Sequence, residues 1–236
     1  LELVQERWDR RLTLDLMTGI PGESVDDLST DLDSLYASGA QHVSLYALTV
    51  EPETPLARSI ASGRLKPLEA ELQETFWLHA KEELERRGYR WYEISNFALP
   101  GEHSRHNMLY WRYQPYIGLG PAAHSCIFPR RWWNPPSVDR YIEQVTAGNG
   151  PTAGVETLDW QQQVIEAVYL GLRWKAGIDR QRFRQRFGMD LMELFGPTID
   201  RLSETGHLTV DEKKCRLTSG GRLLHESIVD AMIARI

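Results

Sequence analysis

Hydrophobic and polar positions alternate in two registers along this chain. Arg11-Leu12-Thr13-Leu14-Asp15-Leu16-Met17 reads as a buried strand, with Asp15 inside it and close to its carboxyl end. A tight loop follows, Thr18-Gly19-Ile20-Pro21-Gly22-Glu23. Ser24 is a favourable N-cap, and acid at Asp27 suits the first turn of a helix. Val25, Leu28, Leu32 and Leu35 then share one helical face, and Gly39 is a natural stop. His42–Leu48 (HVSLYAL) is a second buried strand. The three pieces form a βαβ unit, whose strands are expected to be parallel with a right-handed crossover. Further on, Leu68–Gly88 is a helix with the stripe Leu72, Phe76, Ala80 and Leu84, and Tyr89–Ile94 reads as a strand.

The second half changes period. Ser137–Ala147 is a short helix, and Gly148–Gly154 (GNGPTAG) is the best linker candidate. Trp160–Leu172, Asp179–Phe187 and Leu191–Thr205 read as helices, the last two stopped by Gly188 and Gly206. His207–Val210 and Lys214–Leu217 pair as a hairpin, and Thr218 or Ser219 opens a last helix that runs to the end. Helices, a hairpin wing and one more helix suggest a small winged-helix-like module. At the start, Leu1–Arg11 reads as the tail of a surface helix. A single βαβ unit cannot close a barrel, which takes roughly 200 residues or more. Either the rest of a barrel lies upstream, or the first part is a small α/β domain.

Composition narrows the options. A net charge of −6 argues against nonspecific nucleic-acid binding. The two cysteines, Cys126 and Cys215, form no C-x-x-C pair and fit a reducing cytoplasm. No apolar run is long enough to span a bilayer. Gly-x-Ser-x-Gly and Walker motifs are absent from the sequence.

One stretch, Trp91–Cys126, follows neither period and reads as a site-bearing connection. It mixes imidazoles, amides, glycines and large aromatics. A neutral imidazole at His106 suits haem iron or zinc. Tyr110, Trp111, Tyr113 and Tyr116 can pack on a flat macrocycle, Arg105 and Arg112 can pair with propionates, and Gly118 and Gly120 permit close backbone approach to a ligand. The competing reading is a hydrogen-bonded histidine beside an ordinary aromatic cluster. His103, His106, His124 and Cys126 also combine as zinc ligands, although H-x-x-H then H-x-C matches no common zinc spacing. Glu93 and Asn96 either bind a polar group or satisfy backbone amides. Asp15 either caps its loop or touches a ligand at the carboxyl end of the sheet. Arg180, Arg182, Arg184 and Arg186 read as the solvated face of a helix whose inner face is Phe183 and Phe187.

These segments, in order, resemble a known family. Asp15-Leu16-Met17-Thr18-Gly19-Ile20-Pro21-Gly22, Ser44-Leu45-Tyr46 through Glu51-Pro52, Tyr92-Glu93-Ile94-Ser95-Asn96-Phe97-Ala98, His106-Asn107-x-x-Tyr110-Trp111 and Gly118-Leu119-Gly120 through Ala123-His124-Ser125 look like the HemW-type radical SAM proteins. These are haem chaperones related to oxygen-independent coproporphyrinogen III oxidase. The resemblance runs from about Arg11 to the end of the chain. It implies an α/β fold: the C-terminal part of a partial (β/α)6 barrel, then a small α+β winged-helix-like domain. The implied organisation is 1–66 for the last barrel elements, 67–150 for the connecting region and 151–236 for the C-terminal domain.

By the same resemblance, Asp15 contacts S-adenosylmethionine, Ala47 offers a second backbone contact, His106 binds haem iron and His124 is the alternative iron ligand. It implies haem delivery to respiratory acceptor proteins in the cytoplasm or at the membrane. The rival within the family is a coproporphyrinogen III dehydrogenase, and His-Asn-x-x-Tyr-Trp favours the chaperone. The family holds a [4Fe–4S] cluster on C-x-x-x-C-x-x-C, a motif this chain lacks. The expectation is therefore the C-terminal portion of a longer protein, with no radical chemistry by this chain alone.

Overall fold

A computed structural model describes residues 11–234. The chain divides into two compact units, one up to Ser104 and one from Arg105 onward. Leu1–Arg10 of the expected N-terminal helical tail lies outside the described residues.

The first unit contains β1 (Thr13–Thr18), α1 (Val25–Ala37), β2 (His42–Ala47), α2 (Pro55–Ala61), α3 (Ala70–Arg86), β3 (Arg90–Trp91) and β4 (Asn96–Ala98). Ser24 opens α1 with a reciprocal cap: Asp27 N–H donates to Ser24 Oγ at 3.2 Å, and Ser24 N–H donates to Asp27 Oδ2 at 2.9 Å. β1 and β2 are parallel, as the βαβ reading requires. The strand order is β1-β2-β4-β3, and the β2–β4 and β4–β3 pairs are antiparallel. Alternation along these strands separates two faces. Leu16, Val43, Leu45, Trp91 and Phe97 are buried together with Leu28, Leu32 and Leu35 of α1 and Phe76, Ala80 and Leu84 of α3. The other face is polar.

Two expectations change here. The strand expected over Tyr89–Ile94 is only Arg90–Trp91, and a tight turn, in which Asn96 N–H donates to Glu93 O at 3.3 Å, leads to β4 beyond the expected range. Asp15 is not near a strand end. β1 runs on to Thr18 before Gly19 turns the chain at φ +84°, so Asp15 stands third of six residues.

The second unit contains α4 (Arg105–Trp111), β5 (His124–Ile127), β6 (Arg130–Trp133), α5 (Val138–Thr146), β7 (Gly154–Thr157), α6 (Trp160–Arg173), β8 (Ile178–Asp179), α7 (Arg180–Phe187), α8 (Leu191–Glu204), β9 (Leu208–Val210), β10 (Lys214–Leu217), α9 (Ser219–Leu223) and α10 (His225–Ile233). One antiparallel sheet has the order β5-β6-β7 and another β8-β10-β9. The expected hairpin is β9–β10. The Gly148–Gly154 stretch leads directly into β7, which pairs with β6, so this connection lies inside one unit. The single last helix is two, separated at Leu224. The core of this unit is built on Val164, Val168 and Leu172 of α6, Phe183 and Phe187 of α7, and Phe195 and Ile199 of α8.

Candidate functional site

In the first unit the sheet register builds a polar row. Asp15 pairs with Ser44, and Ser44 pairs with Asn96, so the three side chains stand on one face of three adjacent strands. Strands lie about 4.8 Å apart, which brings neighbours in such a row within reach of one small ligand. Asn96 Nδ2 donates to Glu93 Oε1 at 2.5 Å, and Ser95 N–H donates to the same oxygen at 2.8 Å. Glu93 is fully buried. Glu93 therefore satisfies a backbone amide, while the buried Asn96 Oδ1 has no partner among the described residues.

His42 shares this face. Its Nε2 lies 2.8 Å from the Tyr92 hydroxyl, which also accepts the Ser104 N–H at 3.3 Å. The phenol oxygen both accepts and donates, so this contact is compatible with either tautomer of His42, whose second ring nitrogen is Nδ1. That Nδ1 is buried and has no partner among the described residues. Burial holds the His42 ring below its ordinary pKa, with nearby His103 pushing the same way and Asp15 opposing. The Tyr92 hydroxyl is pushed up to about 12, chiefly by burial. His103 stacks on Tyr92 at 4.3 Å between ring centroids. Ala47 closes β2 opposite Thr18, and Leu48 N–H donates to Thr18 O at 2.8 Å, tying the two strand ends together.

In the second unit the His-Asn-x-x-Tyr-Trp segment is a helix rather than a loop. Only Met108 of α4 is buried, and His106 lies on its exposed side. The i,i+4 spacing brings His106 Nε2 to 3.1 Å from the Tyr110 hydroxyl, with the rings edge to face at 5.0 Å. Tyr110 in turn meets Tyr116 edge to face at 4.7 Å. Tyr110, Trp111, Tyr116, Cys126, Phe128 and Tyr169 line a cavity of about 370 Å³. Arg131 and Glu166 form an ion pair at its wall, and the Tyr113 hydroxyl donates to Glu166 Oε2 at 3.3 Å. Burial, with Glu166 adding to it, pushes the Tyr113 hydroxyl well above its usual range. Burial also raises the Cys126 thiol, with Arg131 partly opposing. A protonated, buried thiol is a poor metal ligand.

His124 is exposed on β5 and stacks on Trp133 at 5.8 Å. The zinc combination of His103, His106, His124 and Cys126 is not assembled: among the described residues no group of three or more His, Cys, Asp or Glu is placed to hold a metal ion. The two glycines differ: Gly118 is packed against backbone, and Gly120 faces open space. A Cβ on Gly118 would stand 2.1 Å from the His124 carbonyl oxygen, so the close approach there is to this chain's own backbone. Gly118 N–H donates to Ser125 Oγ at 2.9 Å, and the Asn134 amide donates to Gly120 O at 2.8 Å. The Arg131–Glu166–Tyr113 set was not expected, because its members are far apart in sequence.

Residues 158–224 match the model of the HemN C-terminal domain. The chain is 32% identical over 235 residues to "Heme chaperone HemW" of Bacillus subtilis (strain 168), covering 100% of this chain and 62% of that protein. It is 34% identical over 230 residues to the protein of the same name from Mycobacterium tuberculosis (strain ATCC 25618 / H37Rv), covering 94% of this chain and 55% of that one. The chain is a relative of the HemW haem chaperones.

The HemW resemblance extends to eukaryotic proteins: a mitochondrial radical S-adenosyl methionine domain-containing protein 1 from Bos taurus is 29% identical over 257 residues, covering 98% of this chain and 55% of that protein. Among solved structures, the radical SAM enzyme coproporphyrinogen III oxidase (HemN) from Escherichia coli matches with a TM-score of 0.71 at 19% identity, over 95% of this chain and 55% of that one. That match shows a shared mixed α/β fold. The chain thus spans between about half and two thirds of the length of these HemW relatives.

Proposed function

We propose that this chain is the haem-contacting part of a HemW-type haem chaperone, with His106 as the residue that would hold haem iron. The observation that carries this reading is an exposed imidazole whose Nε2 meets the Tyr110 hydroxyl, and whose partner tyrosine lines an aromatic cavity. An exposed hydrogen bond of this kind is exchanged for a metal bond at small cost. The surrounding rings suit a flat macrocycle. His124, exposed and stacked on Trp133, is the second candidate for the iron.

The polar face of the first sheet suits S-adenosylmethionine, a ligand with both donors and acceptors. Asp15 contacts it on this reading, Ala47 offers a backbone contact, and the unpartnered Asn96 Oδ1 and His42 Nδ1 supply further polar atoms. The [4Fe–4S] cluster does not fit this chain, because Cys126 and Cys215 are both buried and two thiolates cannot supply three ligands. The cluster then belongs to the full-length protein, and this chain alone performs no radical chemistry. The first sheet is the end of a partial (β/α)6 barrel, and helices α6–α8 with the β9–β10 hairpin form a winged-helix-type domain. The protein works in the cytoplasm without nucleic acid, handing haem to respiratory acceptor proteins. No helix among the described residues is long and apolar enough to cross a membrane.

The rival, coproporphyrinogen III dehydrogenase, is supported by fold likeness at 19% identity and by the HemN C-terminal domain match over residues 158–224. Decarboxylation of coproporphyrinogen III by the full-length protein would favour it. The chaperone reading is tested by haem titration followed at the Soret band. Wild type is expected to saturate with a spectral shift that His106→Ala loses, whereas equal binding by both would remove His106 from the role.

A further inference from the structure

The second unit carries a second groove, whose lining includes neither His106 nor His124. It has a volume of about 760 Å³ and runs between the end of α4, α6 and α7. That size is in the ordinary range for small-molecule sites, about 300–1,000 Å³. Its lining holds four cations, Arg112, Arg182, Arg186 and Lys214, against one carboxylate, Asp179. In a chain of net charge −6 this is a local reversal of sign.

Two of the cations are already engaged. Lys214 Nζ pairs with Asp179 Oδ2 at 3.1 Å. Arg186 lies over Phe128 at 4.0 Å and Tyr113 at 4.3 Å and donates to Tyr113 O at 3.0 Å. The other two are available. The Arg112 guanidinium lies over the Trp174 ring at 4.9 Å, a stack that fixes it in place and leaves its in-plane N–H groups free to donate. Arg182 is unlike its neighbours on α7. Arg180 bonds Asp190 at 2.7 Å and Arg184 bonds Glu193 at 2.8 Å, but the Arg182 side chain has no hydrogen bond or ion pair among the described residues. Trp111, Trp174 and Phe183 supply apolar walls beside these two forks.

We propose that this groove binds the carboxylate side of a tetrapyrrole, with Arg112 and Arg182 each taking a propionate. The inference rests on the haem reading, since the porphyrin is chosen because that reading supplies it. Guanidinium matches carboxylate with two parallel N–H···O bonds, and aromatic walls suit a planar ring. Arg112 comes six residues after His106, about 9 Å along a helix axis. Arg112, just past the end of α4, and His106, near its start, therefore make anion binding and iron coordination separable.

The test titrates the full chain with metal-free protoporphyrin IX, which carries both propionates and no iron, and follows porphyrin fluorescence. Arg112→Gln and Arg182→Gln are each expected to weaken binding roughly three- to tenfold, the range for loss of one partly exposed charge-assisted pair. Arg140→Gln, on α5 outside the groove, should leave it unchanged. The porphyrin dimethyl ester should bind more weakly than the free acid and be insensitive to both groove variants. Absence of wild-type binding, equal binding of the ester, or variants indistinguishable from wild type would overturn the proposal. Displacement by inorganic phosphate at lower concentration than by porphyrin would overturn it too, in favour of a phosphate site. Because the probe has no iron, the outcome is independent of whether His106 ligates haem.

Discussion

Removing one oxygen from Tyr110 should tighten haem binding. The Tyr110 hydroxyl sits 3.1 Å from His106 Nε2, the nitrogen through which the exposed ring would meet iron. Iron can bind there only after that hydrogen bond is broken. A net hydrogen bond of this kind contributes about 0.5–1.5 kcal/mol, and exposure of His106 favours the lower end. Tyr110→Phe removes the competitor and keeps the ring that packs at 4.7 Å on Tyr116. The expected result is haem affinity about twofold to tenfold higher, since about 1.4 kcal/mol is one decade. The assay is a Soret titration of wild type and Tyr110→Phe under one buffer condition, with the far-ultraviolet circular dichroism of each compared. Unchanged or weaker binding by Tyr110→Phe would refute the reasoning. It would mean that iron takes the other ring nitrogen, that the phenol contacts haem directly, or that His106 is not the ligand.

Stability should fall in mild acid. His42 and His225 are both held below the ordinary value of 6.5, first by burial. The unfolded chain then binds more protons than the folded one as the pH drops below 6.5, so stability is lost through that value and levels off below the folded pKa values. Thermal midpoints between pH 7.5 and pH 5 check this, with His42→Gln and His225→Gln each flattening the profile; a level wild-type profile would contradict it. Gly118→Ala should destabilise the second unit by about 1–3 kcal/mol, because the new Cβ would stand 2.1 Å from backbone rather than from a side chain that can swing away. A denaturant midpoint equal to wild type would show that the loop relaxes freely.

The parts of the fold legible in the sequence are those whose burial follows one period. β1 and α1 have it, with Leu28, Leu32 and Leu35 fully covered and a reciprocal cap at Ser24 marking the helix start, whereas β2 is read from its continuous burial over His42–Leu45. The helices α6, α7 and α8 and the β9–β10 hairpin have it too. α4 does not, because His106, Asn107, Tyr110 and Trp111 are set by what they touch, and Met108 alone is buried in it. The β6 strand is hidden by two charges in Arg130-Arg131-Trp132-Trp133, where Arg131 turns to Glu156 at 3.0 Å and to Glu166.

The candidate site was marked by residue type rather than by period. Residue type marked His106, and its i,i+4 spacing to Tyr110 was there to be used. What no local pattern carries is the meeting of Tyr113, Arg131 and Glu166, or the separate fates of the four arginines of α7. Those follow from which distant acids and rings the fold brings alongside.

The claim that His106 holds haem iron is tested most directly by pulsed electron paramagnetic resonance on the ferric haem-loaded chain carrying ¹⁵N-labelled histidine. The account predicts a strong coupling to one imidazole nitrogen in wild type that disappears in His106→Ala and persists in His124→Ala. A coupling that survives in His106→Ala and vanishes in His124→Ala would contradict it and move the iron to His124.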